Sequence, residues 1–338
     1  MTARTRYFVI LSLLVLALGV GTGLVAYFVG LPTTALQRAG GPDELRFVPR
    51  NATLVAYANV TDVMGSTLRE RLRQAMPDTP RGQQEFQDQT GINIETDIDR
   101  IVACIAPQLD GSSSLPGTGL VLARGRFNEV RIEALMREHG AVVEVYKDVR
   151  LIVAEPRTTT DDQGAVRRID GLSLAFIESG LVAVGSTPLV RHAVDLKVGG
   201  DNVTANDELM ALVESLESGN LWAVGRFDAL ASQARLPGEL AARLPAITWF
   251  SASGHVNGGL SGVLRAETRD DASAADLRDV LRGFLALAKM QAGDRPDILA
   301  MVQSLQLGGT GKTVALSFEV PPAVFDQLGS GAASPPPQ

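Results

Sequence analysis

The sequence predicts an α+β fold in which antiparallel sheets built of hairpins carry helices on one face, preceded by one N-terminal transmembrane helix. Three observations lead to this prediction. An uncharged stretch lies near the N-terminus, paired segments alternate apolar and polar residues as hairpins do, and single amphipathic helices separate those pairs. A strict strand-helix-strand alternation would have indicated a parallel sheet instead.

Composition narrows the class of protein. The chain has 338 residues, of which 45% are hydrophobic and 20% charged, as in a folded protein. The net charge of −7 and the lack of a basic stripe argue against a nucleic-acid partner, because such binding depends on clustered Lys and Arg. Cys104 is the single cysteine, so an intramolecular disulfide is excluded; its apolar neighbours "IVACIA" predict a buried strand position.

The first element is a membrane span from Phe8 to Gly30. This segment carries no charge, and a helix of this length covers a hydrocarbon core of about 30 Å. Arg4 and Arg6 precede it, which predicts that residues 1–7 stay in the cytoplasm and that everything from Leu31 onward is exported. A cleaved signal peptide is the alternative, but the apolar run is too long and no Ala-x-Ala site follows it.

The predicted span places the protein in the inner (cytoplasmic) membrane as a single-pass protein with a periplasmic or extracellular C-terminal region. The lipid bilayer is therefore its first expected partner. Gly19 and Gly23 have the spacing that lets two membrane helices approach closely, so they form a possible helix-contact face.

The exported part divides by composition into four segments. Residues 31–46 contain two prolines and a glycine pair and predict a tether, and residues 329–338 predict a disordered tail. Between them we expect a first α+β unit at 47–200 and a second at 201–328. The pattern fits two tandem units and one continuous sheet equally well.

In the first half, strands and helices follow one another with local signals at their ends. "ATLVAYANV" predicts a strand and "VMGSTLRERLRQAM" a helix after it, while Asn128 should cap the helix that ends at Gly140. Two hairpins are expected to turn at Lys147-Asp148 and at Ser179-Gly180. Pro188 should open the next helix, which Gly199-Gly200 should end.

The second half repeats this order. "DELMALVESLESG" predicts a helix, "NLWAVGRFDAL" a strand entering a helix, residues 247–269 a hairpin around Asn257-Gly258, and "ASAADLRDVLRGFLALAKMQ" a long amphipathic helix. Gly125-Arg126-Phe127 recurs as Gly225-Arg226-Phe227, in both cases where a strand is expected to lead into a helix. This recurrence predicts an internal duplication.

A Gly-Lys-Thr sequence near the C-terminus imitates a nucleotide-binding loop. The phosphate-binding motif requires a glycine where the chain has Gln306, and it requires a helix after the loop. Instead, "TVALSFEV" alternates as a strand does. We therefore expect Gly308 to Lys312 to be a hairpin turn, with no nucleotide bound.

Catalytic and metal-binding patterns are weak. The three histidines, His139, His192 and His255, have no ligand-like neighbours at metal-binding spacings, and His139 is expected at the end of a helix. Acidic groups occur in three places. Glu95, Asp97 and Asp99 resemble a calcium loop only in charge, because the segment lacks the central glycine and the terminal glutamate of such a loop. Asp161-Asp162 and Asp270-Asp271 are expected in turns or at helix starts, where acidic residues act as caps. The sequence therefore predicts no catalytic, cofactor-binding or metal-binding residue and no cofactor.

Two segments carry a resemblance to a known class of protein. "FVPRNATLVAYANVTDVMGSTLRERL" and "LAFIESGLVAVGSTPLVRHAVD" resemble segments of uncharacterised bacterial single-span membrane-anchored proteins of unknown function. That resemblance implies a duplicated α+β exported region and transfers no activity.

The sequence favours a membrane-anchored cell-envelope ectodomain that acts as a non-catalytic binding or scaffold protein. Another envelope protein would be its partner. Two alternatives stay open: a carrier of an apolar, lipid-like ligand, and an exported hydrolase whose site is assembled only in three dimensions.

Overall fold

A computed structural model describes residues 41–75, 81–107, 118–154, 157–160, 166–169, 171–227, 247–292, 299 and 302–320. The α-helices within these residues are α1 Val60–Met64, α2 Thr67–Ala75, α3 Arg81–Thr90, α4 Ile94–Asp97, α5 Glu129–Glu138, α6 Thr187–Val198, α7 Asp207–Glu214 and α8 Asp271–Ala292. The strands are β1 Leu54–Asn59, β2 Ile98–Ala106, β3 Thr118–Gly125, β4 Val142–Tyr146, β5 Val149–Ala154, β6 Arg157–Thr160, β7 Val166–Ile169, β8 Leu172–Glu178, β9 Leu181–Ser186, β10 Leu221–Arg226, β11 Ile247–Val256, β12 Leu260–Thr268, β13 Gln306–Gly308 and β14 Thr313–Val320.

The chain forms two compact units. Among the described residues, the first unit contains 41–55 and 81–210, and the second contains 56–75 and 211–320. Both units combine antiparallel strands with helices, which confirms the predicted α+β class. The chain passes from the first unit to the second within β1, returns to the first unit between residues 75 and 81, and passes to the second again within α7.

The first unit is built on a sheet with the strand order β2-β3-β9-β8-β5-β4. Each neighbouring pair in this order is antiparallel. The sheet core is aliphatic, because the low aromatic content leaves Leu, Val, Ile and Ala to fill it. Cys104 lies buried in β2, as the sequence predicts, and burial raises the pKa of its thiol to about 12.

The second unit has the strand order β10-β11-β12-β14-β13, again antiparallel throughout. The first half of α8 packs on this sheet. Its Ala274 and Leu277 form a buried cluster with Val314 of β14. Arg278 donates hydrogen bonds from Nη2 to the carbonyl oxygens of Gly311 (2.8 Å) and Thr313 (3.0 Å), so α8 is tied to the turn before β14.

A buried carboxylate joins the start of the described chain to the first sheet. Glu44 lies in a 3-10 turn, Asp43–Phe47, and is only 1% exposed. Its Oε1 accepts a hydrogen bond from Nε of Arg124 at 2.8 Å, and Arg100 Nε lies 3.4 Å away. Arg124 is also 3.5 Å from Glu178, which pairs with Arg46 at 2.6 Å. The turn is therefore held by a network of alternating charges.

The local signals place most predicted elements correctly. The hairpins turn at Lys147-Asp148 and Ser179-Gly180, and the helix α8 runs as one segment. The predicted helix over "VMGSTLRERLRQAM" is different, because it is divided at Gly65-Ser66 into α1 and α2. Ser66 Oγ accepts a hydrogen bond from Arg69 N at 3.1 Å, and a serine in this role starts a new helix.

Within the part of the chain that the structure describes, we find no helix that is both long enough and apolar enough to cross a bilayer. The predicted span at 8–30, including Gly19 and Gly23, lies outside the described residues. The same holds for residues 31–40 of the predicted tether and for the predicted tail at 329–338.

Candidate functional site

A group of interacting charged side chains in the first unit lies between β4, its turn and α6. The hairpin β4–β5 turns through Lys147 and Asp148, which both have positive φ, 47° and 62°. A two-residue hairpin turn of type I′ requires positive φ at both positions, and glycine, asparagine or aspartate usually occupies them. Lys147 and Asp148 are not glycine, so this backbone conformation costs free energy at both positions. Strained backbone of this kind often marks a functional site.

Helix α6 supplies the other side of this group. Pro188 lies in its first turn, as predicted, and Gly199 and Gly200 follow its end with φ of 145° and 133°. Arg191 and Asp195 are four residues apart, so they share one helix face. We call Glu144, Tyr146, Lys147, Arg191 and Asp195 the α6 cluster.

Asp195 is the centre of the α6 cluster. Its Oδ1 accepts a hydrogen bond from the Tyr146 hydroxyl at 2.9 Å and pairs with Lys147 Nζ at 2.7 Å. Arg191 Nη2 pairs with Glu144 at 2.5 Å. Both cations also approach the Tyr146 ring, at 5.7 Å for Lys147 Nζ and 5.6 Å for the Arg191 guanidinium, within range of a cation–π attraction.

These contacts shift the pKa values of Tyr146, Lys147 and Asp195, and each shift favours the charge state that the group ordinarily has at neutral pH. The hydrogen bond to Asp195, followed by partial burial, raises the pKa of the Tyr146 hydroxyl. The hydrogen bond to Asp195 also raises the pKa of Lys147, although burial opposes this. Burial disfavours the charged form of Asp195, but the bonds from Lys147 and Tyr146 outweigh it and lower the pKa. At neutral pH the three groups are therefore neutral, cationic and anionic, respectively.

Beside the cluster, a surface groove of about 590 Å³ lies between α6 and the start of α7. We call it the α6–α7 groove. Its lining includes Arg50, His192, Asp201, Asn206, Asp207 and Glu208. Asn206 caps α7, since its Oδ1 accepts a hydrogen bond from Leu209 N at 3.1 Å, and its amide nitrogen donates to Arg50 O at 2.9 Å. The groove is therefore open and bordered by charged and amide side chains, of which Asn206 is held by hydrogen bonds and Arg50 is paired with Asp201 at 3.0 Å.

The Gly-Lys-Thr sequence lies in a turn, as predicted. Residues 309–312 connect β13 to β14, and Gly309 and Gly311 have φ of 92° and 54°. The backbone carbonyl of Lys312 accepts hydrogen bonds from Thr268 N at 3.0 Å and Thr268 Oγ1 at 2.9 Å. A strand follows the turn, so the helix N-terminus that would hold a phosphate is not at this position.

The three histidines have separate local roles. His139 follows the last residue of α5, with its Nδ1 2.7 Å from Leu135 O, at the predicted helix end. His192 lines the α6–α7 groove. His255 is 3% exposed in β11, and burial, which penalises the charged imidazolium, lowers its pKa to about 4.

Two of the acidic groups take part in local structure. Asp97 Oδ2 accepts a hydrogen bond from Asn93 N at 2.9 Å, and Asp97 also pairs with Arg126 at 3.5 Å. Asp270 caps α8 by accepting a hydrogen bond from Ser273 N at 2.8 Å. Asp161 and Asp162 lie outside the described residues. Within the described ranges, no three His, Cys, Asp or Glu side chains are grouped to hold a metal ion.

The α6 cluster was not among the residues that the sequence singles out. The sequence predicts Lys147 in a turn and Arg191 and Asp195 in a helix, but nothing local relates Asp195 to a hydroxyl 49 residues earlier. The one usable signal was the turn itself, because Lys-Asp is an unusual pair for a turn with two positive φ values.

Comparison with known proteins does not assign the chain to a family. No family model matches the chain, and no curated protein matches it significantly. The crystal form I structure of TP0453 is similar over 86% of this chain and 98% of that chain, with a TM-score of 0.43 and 9% sequence identity. A likeness at this level supports no statement about function.

Proposed function

We propose that this protein is a single-pass, membrane-anchored ectodomain of the cell envelope that works by binding and not by catalysis. Residues 8–30 anchor it in the inner membrane, and the α6–α7 groove with the adjoining α6 cluster binds a polar envelope partner. The observation that carries the proposal is the pairing of Asp195 with the Tyr146 hydroxyl at 2.9 Å and with Lys147 Nζ at 2.7 Å, from which the directions of the three pKa shifts follow.

A general acid or base works best when its pKa lies near the working pH. Tyr146 and Lys147 are moved upward from ordinary values that already lie well above neutrality, and Asp195 is moved downward. Each shift takes the group further from proton exchange at neutral pH. Fixed charges of both signs suit recognition of a polar surface, because they contribute specificity without changing protonation state.

Turnover measurements test the absence of catalysis. Full-length protein in detergent is offered panels of ester, peptide, phosphate and glycoside substrates, together with the variants Tyr146→Phe and Asp195→Asn. We expect all three proteins to match the background rate of the buffer. Hydrolysis by the unchanged protein that either variant abolishes would overturn the proposal and favour the exported hydrolase.

Topology measurements test the anchor. A C-terminal reporter that is active only outside the cytoplasm should be active, and alkaline extraction should leave the intact chain in the membrane fraction. The matched control replaces Leu14 and Leu18 by Arg, which the hydrocarbon core disfavours strongly. Release of the unchanged chain without detergent would contradict anchoring.

The groove does not favour the apolar-ligand carrier. Ligand sites for lipids are lined mainly by hydrophobic side chains, whereas this groove is lined by charged and amide side chains. Mass spectrometry of the natively purified full chain should therefore detect no lipid bound in stoichiometric amount. A bound lipid that is lost in the variant Arg50→Glu would favour the carrier instead.

We also propose that the two units derive from a duplication. Its support is the Gly-Arg-Phe sequence at the ends of β3 and β10, and a hairpin followed directly by a helix in both units, β8–β9–α6 and β11–β12–α8. The neighbours of β3 and β10 differ, so the repeat does not extend to the strand order. Homologous sequences in which the two halves fail to align at Gly125 and Gly225 would contradict it.

A further inference from the structure

Strand β4 lies at one edge of the sheet of the first unit. Within the described residues, β5 pairs with one side of β4, and the other side has no neighbouring strand. The strand is regular, because its five consecutive residue pairs with β5 run without a shift of register. It contains neither proline nor lysine, which often protect an edge, and the bulges of this sheet lie in other strand pairs. The open side of β4 therefore has the geometry that a further strand needs.

The turn after β4 determines which of its residues face outward. In a two-residue hairpin, the carbonyl before the turn accepts a hydrogen bond from the residue after it, so Tyr146 directs its backbone groups to β5. Orientation alternates along an antiparallel strand, so Glu144 and Val142 also point to β5. Val143 and Val145 consequently direct their N–H and C=O groups to the open edge.

Apolar side chains are exposed on both faces of this edge. Val142 is 56% exposed on the face that also carries Glu144 and Tyr146, and Val145 is 71% exposed on the opposite face. The charge in the strand, on Glu144, is already paired, because Nε and Nη2 of Arg191 lie 3.2 Å and 2.5 Å from its Oε1. The edge is therefore apolar, and its carboxylate is neutralised.

We propose that the β4 strands of two copies of this chain pair antiparallel about a two-fold axis centred on Glu144, which joins the two first-unit sheets. In this register, Val143 of one copy lies opposite Val145 of the second copy, and these pairs exchange both backbone hydrogen bonds. On the other face, Val142 lies opposite Tyr146, a β-branched and aromatic pair of the kind that stabilises sheets. Every outward-facing residue of the edge then has a partner.

The edge is complementary to itself in this register and not in the neighbouring ones. A shift of two residues in one direction places Val145 opposite Ala141, whose N–H already donates to the Met136 carbonyl at 3.0 Å. A shift in the other direction places Val143 opposite Lys147, whose φ of 47° is outside the range of a strand. Self-complementarity is what a two-fold contact between identical chains requires, so it favours a second copy as the occupant.

The charges at the centre of the contact are balanced. The two Glu144 carboxylates approach each other, and like charges directly opposite would destabilise the pairing. Each carboxylate is held by its own Arg191, so the centre contains two anions and two cations. The inference depends neither on the membrane anchor nor on the binding proposed at the α6–α7 groove.

Disulfide cross-linking of the full-length protein in detergent tests the register. Glu144→Cys places the thiols of two copies opposite each other, at a Cα separation of about 4.5 Å that a disulfide can bridge. Val142→Cys, on the same face, is the matched control, because its thiols would be about 14 Å apart. The native Cys104 is buried with a raised pKa and is common to both variants. Thermal melting first verifies that both variants fold as the unchanged protein does.

We expect at least about fivefold more disulfide-linked dimer from Glu144→Cys than from Val142→Cys. The additional change Val145→Pro should lower the yield from Glu144→Cys at least about fivefold, because proline removes an outward N–H. Proline is tolerated at an open edge, so the fold should persist. Val145→Thr keeps both the N–H and the branched side chain and should leave the yield within about twofold.

Amide hydrogen exchange of the unchanged protein gives a second readout. The amides of Val143 and Val145 should exchange at least about tenfold more slowly in concentrated than in dilute protein. The amide of Glu144, which faces β5, should be protected at both concentrations.

Three results would overturn the inference. Equal yields from the two cysteine variants would show random collisions, and failure of folded Glu144→Cys to cross-link would show that the edges do not pair in this register. Slow exchange of Val143 and Val145 that persists on dilution would show that another segment of the same chain covers the edge.

Discussion

At the scale of single residues, His255 is the titratable group with the clearest energetic consequence. It is almost fully buried in β11, and its pKa falls from 6.5 to about 4 because burial penalises the imidazolium. In the unfolded chain the same side chain binds a proton near pH 6.5. Between these two pH values the unfolded state therefore holds more protons than the folded state, and stability must decrease as the pH falls.

We expect the free energy of unfolding to decrease by about 2 kcal/mol between pH 7 and pH 4.5 through this histidine. Denaturant titrations of the full chain in detergent at the two pH values measure it. His255→Gln should remove that part of the pH dependence, whereas His139→Gln, at the end of α5, should keep it. An unchanged pH dependence in His255→Gln would show that other groups cause it.

Local signals predicted residue roles well where a residue acts on its own neighbours. Asn128 caps α5 by accepting a hydrogen bond from Arg131 N at 3.0 Å, and Gly180 turns its hairpin with φ of 71°. Tyr146 and Asp195 were missed, because their hydrogen bond joins residues 49 apart. Sequence periodicity extends over a few residues, so it contains no information about such pairs.

At the scale of elements, close approach of strand backbones requires glycine at Gly185. This residue in β9 lies opposite Leu120 of β3. An added Cβ would overlap the carbonyl oxygen of Gly119, and backbone atoms in the middle of a sheet cannot move aside easily. Gly283 in α8 differs, since an added Cβ there would meet no atom within 4 Å.

We therefore expect Gly185→Ala to destabilise the protein by about 2 kcal/mol or more, through overpacking of the backbone. Gly283→Ala should instead stabilise it by about 0.5–1 kcal/mol, because alanine favours the helix. Thermal unfolding of the two variants beside the unchanged protein measures both. Equal effects of the two substitutions on stability would mean that the close contact between the strands does not require glycine at position 185.

At the scale of the whole molecule, the ion pairs differ in how far their side chains are buried. Several ion pairs of the described residues are solvent-exposed, such as Arg50 with Asp201, whose side chains are 55% and 75% exposed. Glu44 is different, because it is buried and bonded to Arg124. Burial disfavours the charge on Arg124, but its bonds with Glu44 more than compensate and raise its pKa.

Removal of one member of a buried pair leaves the other charge without compensation. We expect Glu44→Gln to lower the free energy of unfolding by about 2–4 kcal/mol. Arg50→Gln, in the exposed pair, should change it by less than about 0.5 kcal/mol. Denaturant unfolding of both variants measures this difference, and a similar small cost for both would show that the Glu44 network contributes little.

The sequence alone determined the α+β class, the hairpin turns, the helix caps and the buried position of Cys104, because each depends on residues within one or two turns of the chain. Only the tertiary structure decided that residues 56–75 belong to the second unit, that Asp195 meets Tyr146 and Lys147, and that half of α8 stays uncovered. Those features depend on which distant segments pack together, and packing is a property of the folded chain that local patterns do not encode.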